Sequence, residues 1–324
     1  MIPKFIAEVS SNHNRDLNRC LKFIDAAARI GCDGVKFQLF KIDQLFAPQI
    51  LANSEEHRQR GNWELPISFL HELASQCRAK GISFSCTPFY LKAVEELLPY
   101  VDFYKIASYE LLWDDLLEAC AKTGKPIVLS TGMATMLEIN HAVSVIAGAT
   151  PMTSDPRPQT TYPHQLTLLH CVSGYPVPPD QCNLAAIQTL RNAFTWKSKD
   201  QNMEDVYKIR SPISIGWSDH SVSQEVIYRA VHKWKASMIE FHLDLDGKGE
   251  EFAQGHCWLP EQIEKIIVEI RKPGCIFTNP ESVCDMDGTG KKFPTQIEQK
   301  DRDWRADPSD GLRPLKHKRI NWNE

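Results

Sequence analysis

The sequence is dominated by a regular alternation of two kinds of segment. Short apolar runs rich in β-branched residues recur eight times, and amphipathic stretches of helical period lie between most of them. The predicted strands are residues 5–10, 34–40, 83–89, 103–107, 126–131, 166–171, 213–218 and 238–243. The predicted helices are residues 17–30, 69–80, 114–122, 135–147, 183–194, 221–234 and 260–271. Strands that alternate with helices predict βαβ units and a parallel sheet.

Eight such units fit a closed (β/α)8 barrel, a TIM barrel, better than an open sheet. The chain of 324 residues is longer than the roughly 250 residues that such a barrel needs. Because the rhythm stops after residue 271, we predict a barrel domain over residues 1–272 and an irregular C-terminal extension over residues 273–324. The extension is expected to pack on the barrel or on a partner subunit.

Two stretches interrupt the rhythm. Residues 151–164 contain four prolines and are predicted to form a surface loop, and residues 197–211 read as a polar insertion. No G-x-G-x-x-G sequence follows the first strand, which argues against a dinucleotide-binding fold.

Composition excludes several function classes. The net charge of −4 gives no electrostatic reason to expect binding to nucleic acid or to an anionic membrane. No apolar run approaches the roughly 20 residues of a membrane span, and the N-terminus lacks a signal-peptide pattern. The ten cysteines show neither a C-x-x-C pair nor zinc-type spacing. They are therefore expected to be free and mostly buried, and the chain to be cytoplasmic.

The candidate chemistry lies at the ends of the predicted strands, because barrel active sites form at the carboxyl ends of the strands. Each apolar strand ends in polar or charged residues: Glu8, Lys36, Thr87, Lys105, Ser130 with Thr131, Cys171 with Ser173, Ser218 with His220, and His242. A complete ring of this kind predicts an active site better than it fits strands that merely become polar as they leave the core.

Lys36 and Lys105 lie within apolar runs, where a buried ammonium carries a large desolvation cost unless it meets an anion. They could pair structurally with Glu8 or Glu110, or reach solvent. Alternatively, they form a cationic cradle for a phosphate or carboxylate ligand. Hydroxyl groups at the strand ends would serve the same cradle as neutral donors: Thr87, Ser108, Ser130, Ser173 and Ser218.

His220 and His242 end consecutive predicted strands, so their imidazoles can converge on one divalent cation. Two histidines are too few for a structural zinc site, so a labile catalytic ion is expected: Mn²⁺ first, with Mg²⁺ or Co²⁺ as alternatives. Glu8 could be a general acid/base at the barrel mouth or a salt-bridge partner of Lys36, and the two roles are compatible. His13, His170 and His256 are further candidates for substrate contact.

Taken together, these motifs resemble the N-acetylneuraminate (sialic acid) synthase family over roughly residues 4–270. The motifs recur in the family's order: Ile6-Ala7-Glu8, Asn12-His13-Asn14, Val35-Lys36-Phe37-Gln38, Lys105-Ile106-Ala107-Ser108 with Glu110, Ser130-Thr131-Gly132-Met133, His170-Cys171-Val172-Ser173-Gly174-Tyr175-Pro176, Asn183-Leu184, Ser218-Asp219-His220 and Glu240-x-His242.

The resemblance implies a metal-dependent transferase on a (β/α)8 barrel. Such an enzyme condenses carbon 3 of phosphoenolpyruvate with the aldehyde of an N-acyl hexosamine, releases phosphate and forms a nonulosonic acid; a homodimer is also implied. By position, the phosphoenolpyruvate ligands would be Lys36, Thr87, Lys105, Ser108, Ser130, Ser173 and Ser218. The sugar contacts would be Glu8, Glu110, Tyr175 and His256. The metal ligands would be His220 and His242, and the catalytic residues Glu8, Lys36, Lys105 and Glu110.

The sequence departs from the family pattern at three places. Phe241 replaces a basic residue between Glu240 and His242. Gly255-His256 stands where the family has Asp-His, so that carboxylate is either absent or supplied by another residue: Asp244, Asp246 or Glu251. The family's C-terminal antifreeze-like domain is not expected here. The extension could replace its arginine contact to the sugar through residues that include Arg302, Trp304, Arg305, Asp307, Asp310 and Arg313.

Two other functions remain open from the sequence. The chain could make a different ulosonic acid from an aldose phosphate, although no extra cluster of basic residues provides a second phosphate site at the strand ends. It could also be a non-catalytic family member that binds a sugar or a phosphate.

Overall fold

The structure, a computed structural model, describes residues 2–149, 165–194, 213–273 and 285–322. The predicted loop at 151–164 and the predicted insertion at 197–211 both lie outside these ranges. Within them, no helix is both long enough and apolar enough to cross a membrane.

Eight parallel strands close into a barrel, which confirms the predicted fold class. They are β1 (Lys4–Glu8), β2 (Gly34–Leu39), β3 (Ser83–Pro88), β4 (Phe103–Ile106), β5 (Ile127–Ser130), β6 (Leu166–His170), β7 (Ser214–Asp219) and β8 (Met238–Leu243). Each strand pairs with the next in the chain, and β8 pairs with β1 in a register that sets Glu8 beside His242. A two-residue strand, β9 (Cys257–Trp258), continues the sheet beside the end of β8.

Helices connect the strands and cover the outside of the barrel. Those of the described residues are α1 (Leu17–Arg29), α2 (Ile42–Leu45), α3 (Pro48–Asn53), α4 (Glu55–Gln59), α5 (Leu70–Lys80), α6 (Leu91–Leu97), α7 (Asp114–Lys122), α8 (Met136–Gly148), α9 (Ala186–Phe194), α10 (Gln224–His232), α11 (Glu250–Ala253), α12 (Pro260–Arg271), α13 (Gln296–Gln299) and α14 (Lys316–Arg319). All seven predicted helices are present, with ends shifted by up to three residues. Helix α6 and the short helices α2–α4 were not predicted.

Local signals explain where the main helices begin and end. The Asp16 side chain accepts hydrogen bonds from the first backbone N–H groups of α1, and Thr135 forms a capping box with Glu138 at the start of α8. Helix α5 ends at Gly81, whose φ of +71° favours glycine. These signals place each helix end near the neighbouring strand and so fix the length of the connections.

The alternation of side chains along the strands separates two layers. Residues that face the helices belong to the main apolar core, and Phe241, fully buried, is one of them. Residues that face the barrel axis form a small apolar cluster of Ile6, Val128, Leu169 and Met238. Because side chains alternate along a strand, the next inward positions toward the carboxyl ends are Glu8 on β1 and Glu240 on β8. Phe241 therefore points away from the barrel mouth, so this departure from the family pattern does not alter the inner surface.

The described part of the extension, residues 285–322, lies against the carboxyl ends of the strands. One carboxylate oxygen of Glu298 accepts the backbone N–H groups of Met133 (2.7 Å) and Ser173 (2.8 Å). Arg302 and Arg305 both bind Glu138. These contacts bring the extension to the same end of the barrel as the candidate site. The division into two domains at residue 272 stays a prediction.

Replacing Glu298 by alanine is expected to lower the free energy of unfolding by about 3 kcal/mol, since two backbone N–H groups would lose a charged acceptor in a buried place. Urea titration of the wild type and the variant measures this difference. Gln299→Ala, at the exposed neighbouring position, is the matched control. A change below about 0.5 kcal/mol for Glu298→Ala, the size typical of surface substitutions, would contradict this account of how the extension is held.

Candidate active site

Four charged side chains form a buried layer next to the small apolar cluster inside the barrel, on the side of the strands' carboxyl ends. Lys36 forms an ion pair with Glu8, and its Nζ also donates to Thr87 Oγ1 over 3.2 Å. The Nζ of Lys105 lies 3.4 Å from Glu240 Oε1, which also accepts from the Ser218 hydroxyl over 3.1 Å. All four charged side chains are buried. Each lysine thus has a carboxylate partner contributed by a different strand.

The pKa values follow from burial and from these pairs. Burial opposes the charged form of Lys36, but the charges of Glu8 and Glu240 outweigh it and raise its pKa. Burial lowers the pKa of Lys105, and Glu240 only partly offsets this. Burial disfavours the charged form of Glu240 too, yet the two lysines lower its pKa to about 2. Glu240 is therefore an anion at neutral pH, and its lysine partners are held beside it.

A group of hydroxyls lies next to this layer, at the ends of β4, β5 and β6. The Ser108 hydroxyl accepts the backbone N–H of Gly132 over 2.9 Å, whereas the buried Ser173 hydroxyl has no hydrogen-bond partner among the described residues. A Cβ atom at Gly132 would lie 2.2 Å from Ser173 Oγ and 2.9 Å from Ser108 Oγ. Only glycine therefore lets the two hydroxyls approach the backbone this closely.

The extension adds a lysine that the sequence analysis missed. Lys292 is 3% exposed, and burial lowers its pKa. Among the described residues its ammonium forms no hydrogen bond and no ion pair. Its strongest electrostatic neighbours are Glu298, whose carboxylate already accepts backbone N–H groups, and Cys171 at the end of β6. A buried ammonium without a paired anion is costly, so this position fits an anionic ligand. The only sequence feature that pointed to this lysine is the Lys291-Lys292 pair in an irregular segment.

His220 lies with its ring centroid 5.4 Å from that of His242. Burial lowers the pKa of His220 to about 3, so the ring is neutral. Its Nδ1 lies 2.8 Å from the carbonyl oxygen of Val172. Since a carbonyl only accepts, Nδ1 carries the proton and Nε2 keeps a free lone pair. That tautomer is the one a metal ligand requires.

His242 belongs to a compact cluster with Glu251, His256 and Cys257, whose donor atoms all lie within 4.8 Å of one another. Burial alone would lower the pKa of His242, but its contacts with Cys257 and Glu251 raise it to about 10. Among the carboxylates considered as replacements, Glu251 is the one located here. Arg19 binds the other two, Asp244 (2.9 Å) and Asp246 (3.0 Å).

A cavity of about 640 Å³ opens above these groups. One side carries Gln38, Tyr175 and the imidazole groups of His242 and His256. A second part of the lining is aromatic and basic and comes from the 42–63 segment and the extension: Phe46, His57, Arg60, Trp63, Trp304, Arg313 and Trp322. The His57 ring stacks on Trp304 with centroids 4.9 Å apart.

Several predicted residues lie outside this cavity lining. Lys36, Lys105 and the predicted hydroxyls lie beneath it. Gln38, for which no role was predicted, lines the cavity and connects it to the buried charged layer, because its amide donates to Glu8 Oε1 (2.9 Å) and Ser10 Oγ (3.1 Å). Glu110 is buried and forms an ion pair with Arg313. It therefore presents Arg313 to the cavity rather than its own carboxylate.

Comparison with known proteins decides the family. The model of the NeuB family matches residues 23–278 of this chain. The protein belongs to the NeuB family. The predicted resemblance to N-acetylneuraminate synthases is thereby confirmed.

Its relatives include an N,N'-diacetyllegionaminic acid synthase of Campylobacter jejuni, 32% identical over 82% of this chain and 75% of that protein. A pseudaminic acid synthase of Helicobacter pylori is 31% identical over 75% of this chain and 66% of the relative. Among solved structures, the spore coat polysaccharide biosynthesis protein SpsE of Bacillus subtilis superposes with a TM-score of 0.73 at 27% identity, covering 93% of this chain and 77% of SpsE. The N-acetylneuraminic acid synthetase of Leptospira borgpetersenii, solved with citrate, gives 0.65 at 29% identity over 92% and 90% of the two chains.

The buried histidine His170 predicts an acid-dependent loss of stability. Burial, with help from the charge of Lys292, lowers its pKa to about 3, while its Nε2 lies 3.0 Å from the Cys182 carbonyl oxygen. The unfolded chain takes up a proton near pH 6.5, so protons favour unfolding as the pH falls below that value. Stability contributed by the neutral ring is present above about pH 6.5 and is lost progressively toward pH 3.

His170→Gln keeps an amide donor for Cys182 and cannot titrate. Its loss of unfolding free energy between pH 7.5 and pH 5 is expected to be smaller than that of the wild type by about 2 kcal/mol. Urea titrations at the two pH values measure this. His71→Gln, which removes an exposed imidazole, is the control. Equal pH dependence of His170→Gln and the wild type would show that His170 does not stay neutral in the fold.

Proposed function

We propose that this protein is a phosphoenolpyruvate-dependent nonulosonate synthase. It joins carbon 3 of phosphoenolpyruvate to the aldehyde carbon of an unphosphorylated N-acyl hexosamine. Water adds at carbon 2, the C–O bond to the phosphate breaks, and phosphate leaves. The observation that carries the proposal is the buried group of lysines and hydroxyls beneath a cavity that holds imidazoles and a carboxylate. The similarity to synthases of legionaminic and pseudaminic acid supports it.

The phosphoenolpyruvate half of the site is the cradle below the cavity. The assigned ligands are Lys36, Thr87, Lys105, Ser108, Ser130, Ser173 and Ser218, and we add Lys292. Glu8 and Glu240 already pair with Lys36 and Lys105. Lys292 interacts with Glu298 only at a distance beyond an ion pair, so its ammonium can bind an anionic ligand directly. Ser173, whose backbone N–H binds the Glu298 carboxylate near Lys292, offers an unused hydroxyl to a phosphate oxygen.

The sugar half is the cavity. Tyr175 is 41% exposed, and its ring lies 4.3 Å from His220 and 5.0 Å from His256 between centroids. Its position supports the predicted contact of Tyr175 and His256 with the sugar. Glu110 acts on the sugar through Arg313, whose guanidinium also lies 4.3 Å above the Tyr109 ring. The extension thus supplies, within one chain, an arginine of the kind that the family resemblance led us to expect.

Proton transfer is assigned to Glu8. New C–C bond formation turns the aldehyde oxygen into a hydroxyl, which gains a proton, while the water that adds at carbon 2 loses one. Glu8 accepts one hydrogen bond from Gln38, which lines the cavity, and pairs with Lys36 below it. It therefore stands between the two substrates and can exchange a proton with either.

The donor set fits a divalent cation. His220 and His242 would hold it: His220 is neutral with Nε2 free, whereas His242, which is protonated without a metal, would release its proton to bind. The bound ion would act as a Lewis acid on the sugar aldehyde. Homodimer formation stays a prediction. The eight cysteines of the described residues are free and buried, which supports the predicted cytoplasmic location.

The test is release of inorganic phosphate from phosphoenolpyruvate in the presence of a divalent cation and a panel of sugars, with a reaction lacking sugar as control. We expect release with an unphosphorylated N-acyl hexosamine such as N-acetylmannosamine or its acylated relatives. Release with aldose phosphates alone would favour a different ulosonic acid as the product. Phosphoenolpyruvate binding without release for any sugar would favour the non-catalytic alternative.

A further inference from the structure

The four donors of the histidine cluster come from three consecutive elements after the barrel closes. His242 is near the end of β8, Glu251 lies on α11, and His256 with Cys257 leads into β9. Strand β9 pairs with β8 in a register that sets Cys257 directly beside His242. The chain between them turns out from the barrel and returns, so Glu251 faces both strands. The sheet itself therefore brings a thiol to a pair of imidazoles.

The Glu251 carboxylate lies at the centre of the group. Its Oε2 is 2.9 Å from His242 Nδ1, 3.4 Å from His256 Nε2 and 4.0 Å from Cys257 Sγ. Its other oxygen, Oε1, accepts the backbone N–H and the hydroxyl of Ser11. Ser11 thus fixes one oxygen of Glu251, while the other oxygen faces three potential ligand atoms. Such support of a carboxylate is typical of metal ligands.

Burial also points to a ligand. His256 is 3% exposed, and its Nδ1 has no hydrogen-bond partner among the described residues. Cys257 is equally buried, but its sulfur receives a contact from the Asn12 side-chain amide at 3.5 Å. A cysteine that serves only as a small apolar group would not need a polar neighbour on its sulfur. The sulfur instead lies between two polar groups, the Asn12 amide and the Glu251 carboxylate.

We propose that Glu251, His256 and Cys257 complete the coordination of the cation assigned to His242, so that its ligands include a thiolate. Two imidazoles, a carboxylate and a thiolate favour a borderline ion of the Zn²⁺, Fe²⁺ or Co²⁺ class over Mn²⁺ or Mg²⁺, which prefer oxygen ligands. The cysteine proton leaves when the metal binds. His242, Glu251 and His256 line the cavity assigned to the sugar. The catalytic meaning of this site rests on the proposed function, whereas its existence does not.

Cobalt provides the direct test, because a thiolate bound to Co²⁺ gives an intense charge-transfer absorption in the near ultraviolet that nitrogen and oxygen ligands do not give. Metal-free protein is titrated with Co²⁺ alone. We expect this band to saturate at one equivalent, to disappear in Cys257→Ala and Cys257→Ser, and to persist in Cys77→Ala, which removes another buried free cysteine. The affinity for Zn²⁺, measured by competition, should be about 100-fold lower in Cys257→Ala, since even loss of an outer-shell partner lowers metal affinity 10- to 100-fold.

Absence of the band in the wild type, or its persistence in both Cys257 variants, would overturn the proposal. Circular dichroism of each variant establishes that it is folded, and Cys257→Ser keeps the size of the side chain if alanine is not tolerated. Phosphate release with Mn²⁺, but no thiolate band, would leave the proposed function in place and remove this site. A thiolate band without phosphate release for any sugar would keep the site and contradict the proposed function.

Discussion

The buried layer of Lys36, Glu8, Lys105 and Glu240 is the constraint on which the rest of the structure depends. Removing four charges from water costs several kcal/mol for each ion unless opposite charges meet inside. Glu8 meets Lys36 on the neighbouring strand β2, whereas Glu240 on β8 meets Lys105 on β4 because β8 pairs with β1 and so closes the barrel. Removing one partner would leave a buried charge without compensation, a change that commonly costs 3–5 kcal/mol. Closure of the barrel therefore completes the anion cradle by adding the second ion pair.

The extension completes what the barrel leaves open. Glu298 anchors it to backbone N–H groups beside the cradle, Lys292 adds a third buried ammonium near Glu298 and Cys171, and Arg313 pairs with Glu110 at the edge of the cavity. The two substrates of the proposed reaction thus meet different parts of the same segment. This explains how an irregular stretch of sequence can be tightly packed: its polar side chains find their partners on the barrel mouth.

Much of the fold could be predicted from the sequence, because strand and helix periodicity are local. All eight strands lie within about two residues of their predicted ends, and Lys36 and Lys105 stood out as charges inside apolar runs. Lys292 could not be found in this way, since the extension has no period that reveals which side chains are buried. The polar surroundings of Cys257 could not be predicted either, because they come from contacts that only the register of β8 and β9 creates. For the same reason, the choice between Asp244, Asp246 and Glu251 needed the structure.

Equilibrium binding of phosphoenolpyruvate in the absence of sugar tests the central claim, that buried lysines from the barrel and from the extension hold one anion. Isothermal titration of the wild type is compared with Lys105→Met, Lys292→Met and the exposed neighbour Lys291→Met. We predict that each of the first two variants binds at least about tenfold more weakly, as expected for the loss of a charged hydrogen bond, and that Lys291→Met binds like the wild type. Wild-type affinity in Lys105→Met would contradict the cradle, and wild-type affinity in Lys292→Met would contradict the role of the extension.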